Sequence, residues 1–430
     1  MKASKYNILF QIENNHYLYN TLKSGLIGIT EELSLLLKSS NIKAIPTDDL
    51  EALAKQGFIV STKTDELAYY EYYYRNAQHE SFTSMRFVVL PTYECNLRCT
   101  YCYQESKQQT DRLDKQKRAA ITEFISQEIS NKPLLTKIQL SLYGGEPLFL
   151  EEESSKLAKE VRELAVSKGL SFESAIITNA TLINEKTINE LFIPNNMRIQ
   201  ITVDGSKSTH DTRRVYRDGK GSYDQIYQAI TLLNQYGLKD NIALRLNIDY
   251  DNLADVENVL ETFSAFVDKI YVRLIKPIGD ANSNNNNCIS TNDYLVNILP
   301  KLKPLLQRYK VSGTGLQYGK KPPCGLNKAN SYIIDGRLDV YKCEGFVANK
   351  ELSIGRIDLL GNFIKNNNFF KQMTWSPFKF PKCVACNLLP VCASSCAYHC
   401  YLNHGDINQP YCEVTEKILI NDLTQFILTS

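Results

Sequence analysis

Three cysteines crowd into the stretch YECNLRCTYCYQ, residues 93–104, at the spacing C-x3-C-x2-C. Disulfides use cysteines in pairs and structural zinc sites use four ligands, so a set of three matches neither by itself. An iron–sulfur cube is held by four thiolates, and three leave one iron with an open coordination position. The spacing therefore predicts an open-site cluster on Cys95, Cys99 and Cys102. A zinc site with a distant ligand, or three buried thiols, is the alternative.

The other nine cysteines of the twelve all lie beyond residue 287. The amino-terminal stretch MKASKYNILFQIENNHYLYN is too polar for a signal peptide, and the sequence has no apolar run of about 18 residues. Clustered cysteines in a chain without an export signal indicate metal rather than disulfides. A net charge of +2 provides no general attraction to nucleic acid or membranes. We therefore expect a cytoplasmic metalloprotein with neither of those partners.

The pattern of apolar residues divides the 430-residue chain into three predicted domains. Residues 1–80 predict strands followed by three helices, with a short strand between the last two, which suggests a winged-helix-like module; a lid or dimerisation arm is the other interpretation. Residues 85–300 alternate strands and helices, which predicts an α/β fold with a parallel sheet, open or barrel-like. Residues 310–430 are cysteine-rich and predict a domain that depends on metal to fold. The asparagine-rich segment 282–287 marks a boundary.

In the central region, chemically useful side chains follow the predicted strands directly. Cys95, the segment 144–146, Asn179 and Asp204 each come at the carboxyl end of an apolar run. Active sites of α/β folds collect at that end of the strands. These residues are therefore expected to lie close together.

The cysteine motif, with Tyr101 before the third cysteine, resembles the signature of radical S-adenosylmethionine enzymes. LYGGEPLF, residues 142–149, is similar to the GGEP segment of that family, and ITVDGSKSTHDTRR, residues 201–214, is similar to a later strand end. The resemblance implies a partial (β/α)6 TIM-like barrel whose 4Fe–4S cluster cleaves S-adenosylmethionine to a 5′-deoxyadenosyl radical.

The resemblance also implies contacts between this chain and S-adenosylmethionine. Gly144, Gly145 and Glu146 would meet the methionine ammonium, and Arg214 the methionine carboxylate. The remaining implied cofactor contacts are Tyr101 near the adenine, Asn179 and Thr202. Arg245 and Ile275 suit either a cofactor-lining role or packing.

CVACNLLPVCASSC places Cys383, Cys386, Cys392 and Cys396 at metal-ligand spacing, although the spacing alone does not separate zinc from iron–sulfur. The carboxyl-terminal array resembles the SPASM extension of radical enzymes, which implies two auxiliary 4Fe–4S clusters. The second auxiliary cluster would use Cys383, Cys386, Cys392 and Cys412, and the first Cys324, Cys343 and Cys396. Relatives have a further cysteine where this chain has Tyr318, so the first auxiliary cluster has an open iron or recruits Cys288 or Cys400. The chain also departs from the family's pattern at Leu338, where relatives have glycine.

Glu344 follows Cys343 directly, where sulfatase-maturing relatives have an aspartate that takes a proton from the substrate. Glu344 is therefore a candidate catalytic base. The alternative is a solvated carboxylate near a turn.

Three functions are compatible with these features. The first is a radical maturase that installs a thioether or carbon–carbon crosslink in a ribosomally made precursor peptide, whose leader sequence residues 1–80 would bind as an added strand. The second is an anaerobic sulfatase-maturing enzyme that makes formylglycine, and the third is an iron–sulfur electron relay without catalysis. The resemblance implies a flavodoxin or ferredoxin as electron donor.

Overall fold

The structure, a computed structural model, describes residues 1–79, 83–104, 111–275, 287–311 and 319–428. The chain divides into two compact units. The first unit comprises residues 1–81, 315–329 and 373–430, and the second comprises residues 82–314 and 330–372. These units do not coincide with the three predicted domains, whose boundaries stay predictions.

The amino-terminal part of the first unit contains a three-stranded antiparallel sheet, a two-stranded pair and three helices. Its strands are β1 Lys2–Ala3, β2 Asn7–Ile12, β3 Asn15–Asn20, β4 Gly25–Ile29 and β5 Ile59–Val60. Its helices are α1 Glu31–Lys38, α2 Thr47–Gln56 and α3 Glu66–His79. The three predicted helices and the strand before the last one are confirmed, and β4 is an addition, because two glycines weaken its strand pattern.

The helices of this segment begin and end where their capping residues predict. The Thr30 side chain accepts a hydrogen bond from the backbone N–H of Leu33 at the start of α1. Gly57, with φ of +81°, ends α2 in the left-handed conformation that glycine adopts readily.

Ten strands of the described residues in the second unit form one sheet, in the order β13-β12-β10-β9-β8-β6-β14-β15-β16-β17. The parallel strands that follow chain order are β6 Ser84–Leu90, β8 Lys137–Leu142, β9 Ser171–Thr178, β10 Arg198–Val203, β12 Ile242–Ile248 and β13 Lys269–Leu274. The short strands β7 Leu97–Cys99 and β11 Arg214–Tyr216 pair with each other outside this sheet. The predicted α/β class with a parallel sheet is confirmed, and the sheet does not close on itself within the described residues.

Beyond the predicted barrel strands, the sheet continues into residues 331–365, where the sequence pattern indicated that strand–helix alternation fades. The added strands are β14 Ser331–Asp335, β15 Asp339–Tyr341, β16 Gly355–Ile357 and β17 Phe363–Lys365. β14 runs parallel to β6, and the next three strands are antiparallel. Tyr332 of β14 stacks on Phe87 of β6 with ring centroids 5.9 Å apart and meets Phe124 edge-on. These aromatic contacts hold the extension against the parallel strands.

Helices separate the parallel strands along the chain, as the alternation predicts. The helices of this part of the chain are α4 Lys115–Ser130, α5 Glu151–Ser167, α6 Glu185–Thr187, α7 Lys207–Arg213, α8 Tyr223–Gln235, α9 Val256–Phe263, α10 Thr291–Asp293, α11 Leu299–Arg308 and α12 Asn367–Met373. Successive side chains of a strand point to opposite faces of the sheet. Ile199, Ile201 and Val203 of β10 are fully buried, whereas Gln200 and Thr202 point to the opposite face, which we call the polar face.

The carboxyl-terminal part of the first unit is helical and shares its core with the amino-terminal segment. Its helices are α13 Pro381–Ala385, α14 Leu389–Cys392, α15 Ala397–His404 and α16 Glu416–Leu428. Buried Tyr70 and Tyr74 of α3 pack with Leu389 and with the ring of Phe378. The predicted peptide-recognition segment and most of the carboxyl-terminal cysteines thus belong to one compact unit. Within the described residues, no helix combines the length and apolar character that crossing a bilayer would require.

Candidate active site

The three clustered cysteines lie on the loop that follows β6, and β7 fixes this loop in place. Cys99 is in register with Arg214 of β11, and the backbone N–H of Thr100 donates to the carbonyl oxygen of Arg213 at 2.9 Å. The N–H of Cys102 donates to the carbonyl of Cys99 at 3.0 Å, which folds the last part of the motif into a tight turn. The loop therefore brings the cysteines next to the segment that carries Arg214.

The thiols of this loop lie within electrostatic reach of one another. Burial, joined by the Cys95 and Cys102 thiols, raises the pKa of Cys99 to about 12 against the opposing effect of Arg214. Burial likewise raises the pKa of Cys95 to about 11. These two thiols therefore keep their protons near neutral pH unless a metal takes the place of the protons, as the iron of a cluster would.

The two glycines after β8 are required by close backbone packing. A Cβ at Gly145 would lie 2.3 Å from the carbonyl oxygen of Glu94, and one at Gly144 would lie 2.5 Å from that of Thr92. Gly144 also has φ of +148°, which favours glycine. The GGE segment thus lies directly against the residues that precede Cys95, and this packing requires both glycines whatever their contact with a cofactor.

Glu146 is completely buried beside this packed segment. Its carboxylate accepts hydrogen bonds from the N–H of Leu148 at 3.0 Å, the hydroxyl of Thr178 at 2.8 Å and the N–H of Asn179 at 2.7 Å. Burial raises the pKa of Glu146 to about 7 despite these three bonds. The Asn179 amide in turn donates to Asn96 at 2.9 Å and lies 3.7 Å from the Cys95 sulfur. The end of β9 is therefore tied to the cysteine loop.

Tyr101 is the centre of a buried hydrogen-bond network. Its hydroxyl lies 2.5 Å from a carboxylate oxygen of Asp204, 2.7 Å from a guanidinium nitrogen of Arg214 and 3.1 Å from the amide nitrogen of Asn247. The Arg213 guanidinium lies 5.5 Å from the ring centroid and forms a two-pronged ion pair with Asp249. The network joins the cysteine loop to the ends of β10 and β12.

Replacing Tyr101 by phenylalanine should destabilise the protein. The change leaves a buried carboxylate oxygen and a buried guanidinium nitrogen without their shared partner, which costs about 1–3 kcal/mol of unfolding free energy. Anaerobic chemical denaturation measures the difference, with Tyr72→Phe as the control because Tyr72 is 72% exposed. Equal stability of the two variants would contradict the network.

His210 supports the same region as a neutral residue. Its Nδ1 accepts from the N–H of Asp204 at 3.3 Å, and its Nε2 lies 3.1 Å from the Ser222 hydroxyl, which donates to the carbonyl of Arg214 at 2.6 Å. Burial, with Arg214 and Arg213 nearby, lowers the pKa of His210 to about 3. The histidine therefore positions the backbone of both Asp204 and Arg214.

This histidine predicts an acid-sensitive stability. Because the folded-state pKa of about 3 lies below the ordinary value of 6.5, the unfolded chain binds more protons between those values and stability falls as pH drops. Between pH 7.5 and 5.5, this group should remove about 1.4 kcal/mol of unfolding free energy. Denaturation at both pH values should show a smaller loss for His210→Gln than for the wild type. Identical losses would show that His210 does not cause the effect.

Several predicted cofactor contacts converge in this region, and some neighbouring residues were not predicted. Thr202 is buried on the polar face of β10, in register with Arg245 of β12. Asp249, Asn247 and His210 were missed as site residues. Asn247 could have been found from its place two positions after Arg245 on the same strand, because alternate residues share a face.

A pair of tyrosines next to the cysteine loop was also missed. The hydroxyls of Tyr103 and Tyr143 are 2.6 Å apart, and Tyr143 directly precedes the two glycines. Burial raises the pKa of Tyr103, with Tyr143 and then Glu344 and Cys102 adding to the rise. Glu344, the candidate base, forms an ion pair with Arg86 of β6 at 3.0 Å, and both side chains are half-exposed.

Several carboxyl-terminal cysteines of the first unit lie within electrostatic reach of one another. Burial raises the pKa of Cys383, and the Cys412 and Cys386 thiols add to the rise; Cys392 is raised to about 11 by burial, with Cys383 and Cys386 contributing. Burial raises the pKa of Cys324, and Cys396 adds to that rise. Burial also raises the pKa of fully buried Cys400, with Cys396 and Cys383 contributing. Among the described residues, no three such side chains are spaced for a single metal ion. Cys343 and Cys288 belong to the second unit, and Tyr318 lies outside the described residues.

The residues around the cysteine loop suit the cofactors that the motif implies. Three neighbouring, half-buried thiols provide the ligands for a cluster with one open position. Asp204 Oδ1 and Arg214 Nε are buried and have no hydrogen-bond partner among the described residues. Such polar atoms of both signs are what a zwitterionic ligand with a polar ribose would satisfy.

Comparison with known proteins supports the same conclusion. Residues 89–263 match the model of the Radical SAM superfamily. A cysteine-type anaerobic sulfatase-maturating enzyme from Clostridium novyi is 26% identical over 333 residues, 70% of this chain and 84% of the relative. A serine-type enzyme from Bacteroides thetaiotaomicron is 28% identical over 156 residues, 36% of this chain and 37% of the relative.

Two solved structures share the fold. Native anSMEcpe with bound AdoMet aligns with a TM-score of 0.62 at 17% identity and covers 80% of this chain and 98% of its own. Streptococcus suis SuiB bound to precursor peptide SuiA aligns with a TM-score of 0.59 at 14% identity and covers 95% and 98%. The chain therefore carries a radical SAM domain, which implies S-adenosylmethionine and a 4Fe–4S cluster as cofactors, and it is an enzyme of the oxidoreductase type.

Proposed function

We propose that the protein is a radical maturase that installs a thioether or carbon–carbon crosslink in a ribosomally made precursor peptide. The observation that carries this proposal is the amino-terminal segment, which offers an open sheet edge beside a groove. The alignment with SuiB in its peptide complex extends over 95% of this chain, whereas that with anSMEcpe leaves a fifth unmatched.

The groove lies between the sheet and α2 of the first unit. β4 pairs with β3 on one side and has no strand partner on its other side among the described residues. A groove of about 390 Å³ is lined by residues 15–17 of β3, by residues 27–30, by Leu33, and by Asp49, Ala52, Leu53 and Gln56 of α2. An extended peptide can add to such an edge through its backbone while its side chains enter the groove. We assign this place to the leader sequence.

The proposal includes cofactors and partners beyond the radical cluster. The grouping of Cys383, Cys386, Cys392 and Cys412, and that of Cys324 with Cys396, supports two auxiliary 4Fe–4S clusters, with Cys343 as a further ligand of the first. Iron and sulfide analysis of the anaerobically reconstituted protein should give about twelve irons per chain. Zinc in the carboxyl-terminal cysteines, or about four irons, would contradict the auxiliary clusters. The electron donor is proposed to be a flavodoxin or ferredoxin.

The chain's own residues have defined tasks in this function. Bound together, the cluster and S-adenosylmethionine supply a 5′-deoxyadenosyl radical that removes a hydrogen atom from the peptide. Cys95, Cys99 and Cys102 hold the cluster, and the proposed cofactor contacts are Tyr101, Gly144, Gly145, Glu146, Asn179, Thr202 and Arg214. Glu344, which forms an ion pair with Arg86, is the proposed acceptor of a proton that the peptide loses.

The second candidate is an anaerobic sulfatase-maturing enzyme. It is supported by the Clostridium novyi relative, whose match covers 84% of that protein, and by the acidic residue after Cys343. The two functions differ in their products. A crosslink removes two hydrogen atoms and keeps the cysteine sulfur, whereas formylglycine formation from cysteine removes the sulfur and leaves an aldehyde.

The test begins with a library of random peptides displayed on their own mRNA and incubated with the holoenzyme, S-adenosylmethionine and reductant. Mass spectrometry of the selected peptides should show loss of two hydrogens with the sulfur retained. An aldehyde would favour the sulfatase-maturing alternative, and no modified peptide would contradict both.

Blocking the groove separates leader binding from catalysis. Ala52→Trp fills the groove and should weaken binding of a selected peptide by about tenfold or more. Glu51→Trp is the matched control, because this neighbour on α2 is exposed and does not line the groove. Equal affinities of the two variants would remove the groove from the proposal.

A further inference from the structure

Arg245 is a cation of the polar face that has no ion pair within the described residues. It lies on β12 in register with Thr202 of β10 and Tyr271 of β13. Its Nε donates to the side-chain oxygen of Asn247 at 2.7 Å, and no carboxylate of the described residues forms an ion pair with it. Its two terminal nitrogens are therefore available to a ligand.

Three nearby cations differ from Arg245 in this respect. Arg86 pairs with Glu344 at 3.0 Å, and Lys137 of β8 pairs with Glu173 of β9 at 2.7 Å. Arg213, the last residue of α7, pairs with Asp249 at 2.8 Å. Burial raises the pKa of Asp204 and Arg245 is among the groups that oppose that rise, but no ion pair joins the two within the described residues. A half-buried guanidinium whose terminal nitrogens have no close acceptor favours an anionic ligand.

A second donor group on the same face also lacks an acceptor. Gln200 accepts a hydrogen bond from the Tyr271 hydroxyl through its oxygen, while its buried amide nitrogen has no partner in the described residues. Arg245 is in register with the same tyrosine; burial raises the pKa of Tyr271, and Arg245 and then Arg273 oppose that rise. Two sets of N–H donors thus approach one place beside Tyr271, and a carboxylate offers the matching pair of acceptor oxygens.

We infer that Arg245 and Gln200 form a subsite for a carboxylate side chain of the peptide substrate, an aspartate or glutamate near the residue that loses hydrogen. This inference rests on the proposed peptide-modifying function and adds the chemistry of the segment that is modified. Arg214 and Arg213 already lie around Tyr101 at the cofactor network. Arg245 is linked to this network through Asn247, and it also lies near Tyr143, whose pKa burial raises while Arg245 opposes the rise.

The probe is a peptide that the wild-type holoenzyme modifies, chosen from the displayed library, together with partners in which each Asp or Glu is changed to Asn or Gln. Fluorescence anisotropy with S-adenosylmethionine and without reductant gives peptide dissociation constants that do not depend on turnover. Equilibrium dialysis gives the S-adenosylmethionine dissociation constant. Arg198→Gln is the matched control, because Arg198 is an exposed arginine of the same sheet.

Arg245→Gln should weaken binding of the acidic peptide by on the order of 10- to 100-fold, because a charged hydrogen-bond pair is lost. Its effect on the amide partner peptide should be about twofold or less. Arg245→Lys, which keeps the charge but not the planar fork, should fall between wild type and Arg245→Gln. The affinity for S-adenosylmethionine should not follow these changes.

Three results would overturn the subsite. Equal weakening for the acidic and amide peptides would show that the carboxylate is not recognised at Arg245. Weaker S-adenosylmethionine binding with unchanged peptide binding would place Arg245 at the cofactor. Full affinity for peptides without any acidic residue would remove the subsite and leave the proposed function intact, whereas no modified peptide would remove both. Iron content and the thermal midpoint of each variant show whether it is folded.

Discussion

Replacing Cys99 by alanine will stop the formation of 5′-deoxyadenosine from S-adenosylmethionine. Cys99 is half-buried beside Arg214, and its thiol lies within electrostatic reach of Cys95 and Cys102. Two thiolates cannot hold a cube that needs three protein ligands. Removing a residue that hydrogen-bonds to a metal ligand typically lowers metal affinity or activity by about 10–100-fold. Removing a ligand itself should therefore lower 5′-deoxyadenosine formation by at least about a hundredfold.

The measurement is 5′-deoxyadenosine by liquid chromatography after incubation with reductant, together with iron content. The control is Thr100→Ala, an exposed position of the same loop that uses its backbone N–H to bind the carbonyl of Arg213. The cysteine variant should lose about four irons, and the control none. Undiminished 5′-deoxyadenosine in Cys99→Ala would remove this motif from the reaction.

Replacing Gly145 by alanine should disrupt the active site although it removes no functional group. The new Cβ would lie 2.3 Å from the carbonyl oxygen of Glu94 and 2.4 Å from that of Tyr93, and backbone atoms cannot move aside as a flexible side chain can. The segment that ends at Cys95 must therefore separate from the one that carries Glu146. Overpacking of this kind costs about 1–3 kcal/mol or more, and S-adenosylmethionine binding should weaken by at least tenfold.

The affinity for S-adenosylmethionine and the thermal midpoint test this prediction together. Gly319→Ala is the matched control, because the nearest side-chain atom to its Cβ is 3.8 Å away, an ordinary contact distance. Gly145→Ala with wild-type affinity and stability would show that the two segments do not need their close approach.

The sequence predicted those features of the fold and of the site that depend on residues close together in the chain. The cysteine spacing, the GGEP segment and the strand ends located most of the residues around the site, because alternation of strands and helices places strand ends together. The helices α1, α2 and α3 follow from their apolar patterns and from caps such as Gly57. These features depend on neighbours within a few residues.

Local sequence patterns could not predict the contacts between residues that are far apart in the chain. The hydroxyl of Tyr101 meets Asp204 and Asn247, which lie 103 and 146 residues away, and no spacing rule connects them. The same holds for Glu344 and Arg86, which are 258 residues apart, and for β14, whose place beside β6 depends on Tyr332 packing against Phe87 and Phe124. The core that α3 shares with the carboxyl-terminal helices also joins segments that are far apart in the chain, so no local pattern predicts it.

The central claim is that the radical generated on this chain takes hydrogen from a peptide. Its most direct test is mass spectrometry of the 5′-deoxyadenosine formed when the holoenzyme acts on a selected peptide made from deuterated amino acids. The account predicts that one deuterium appears in the 5′-deoxyadenosine whenever the peptide is modified. Deuterium-free 5′-deoxyadenosine, formed while the labelled peptide is bound and unchanged, would contradict it.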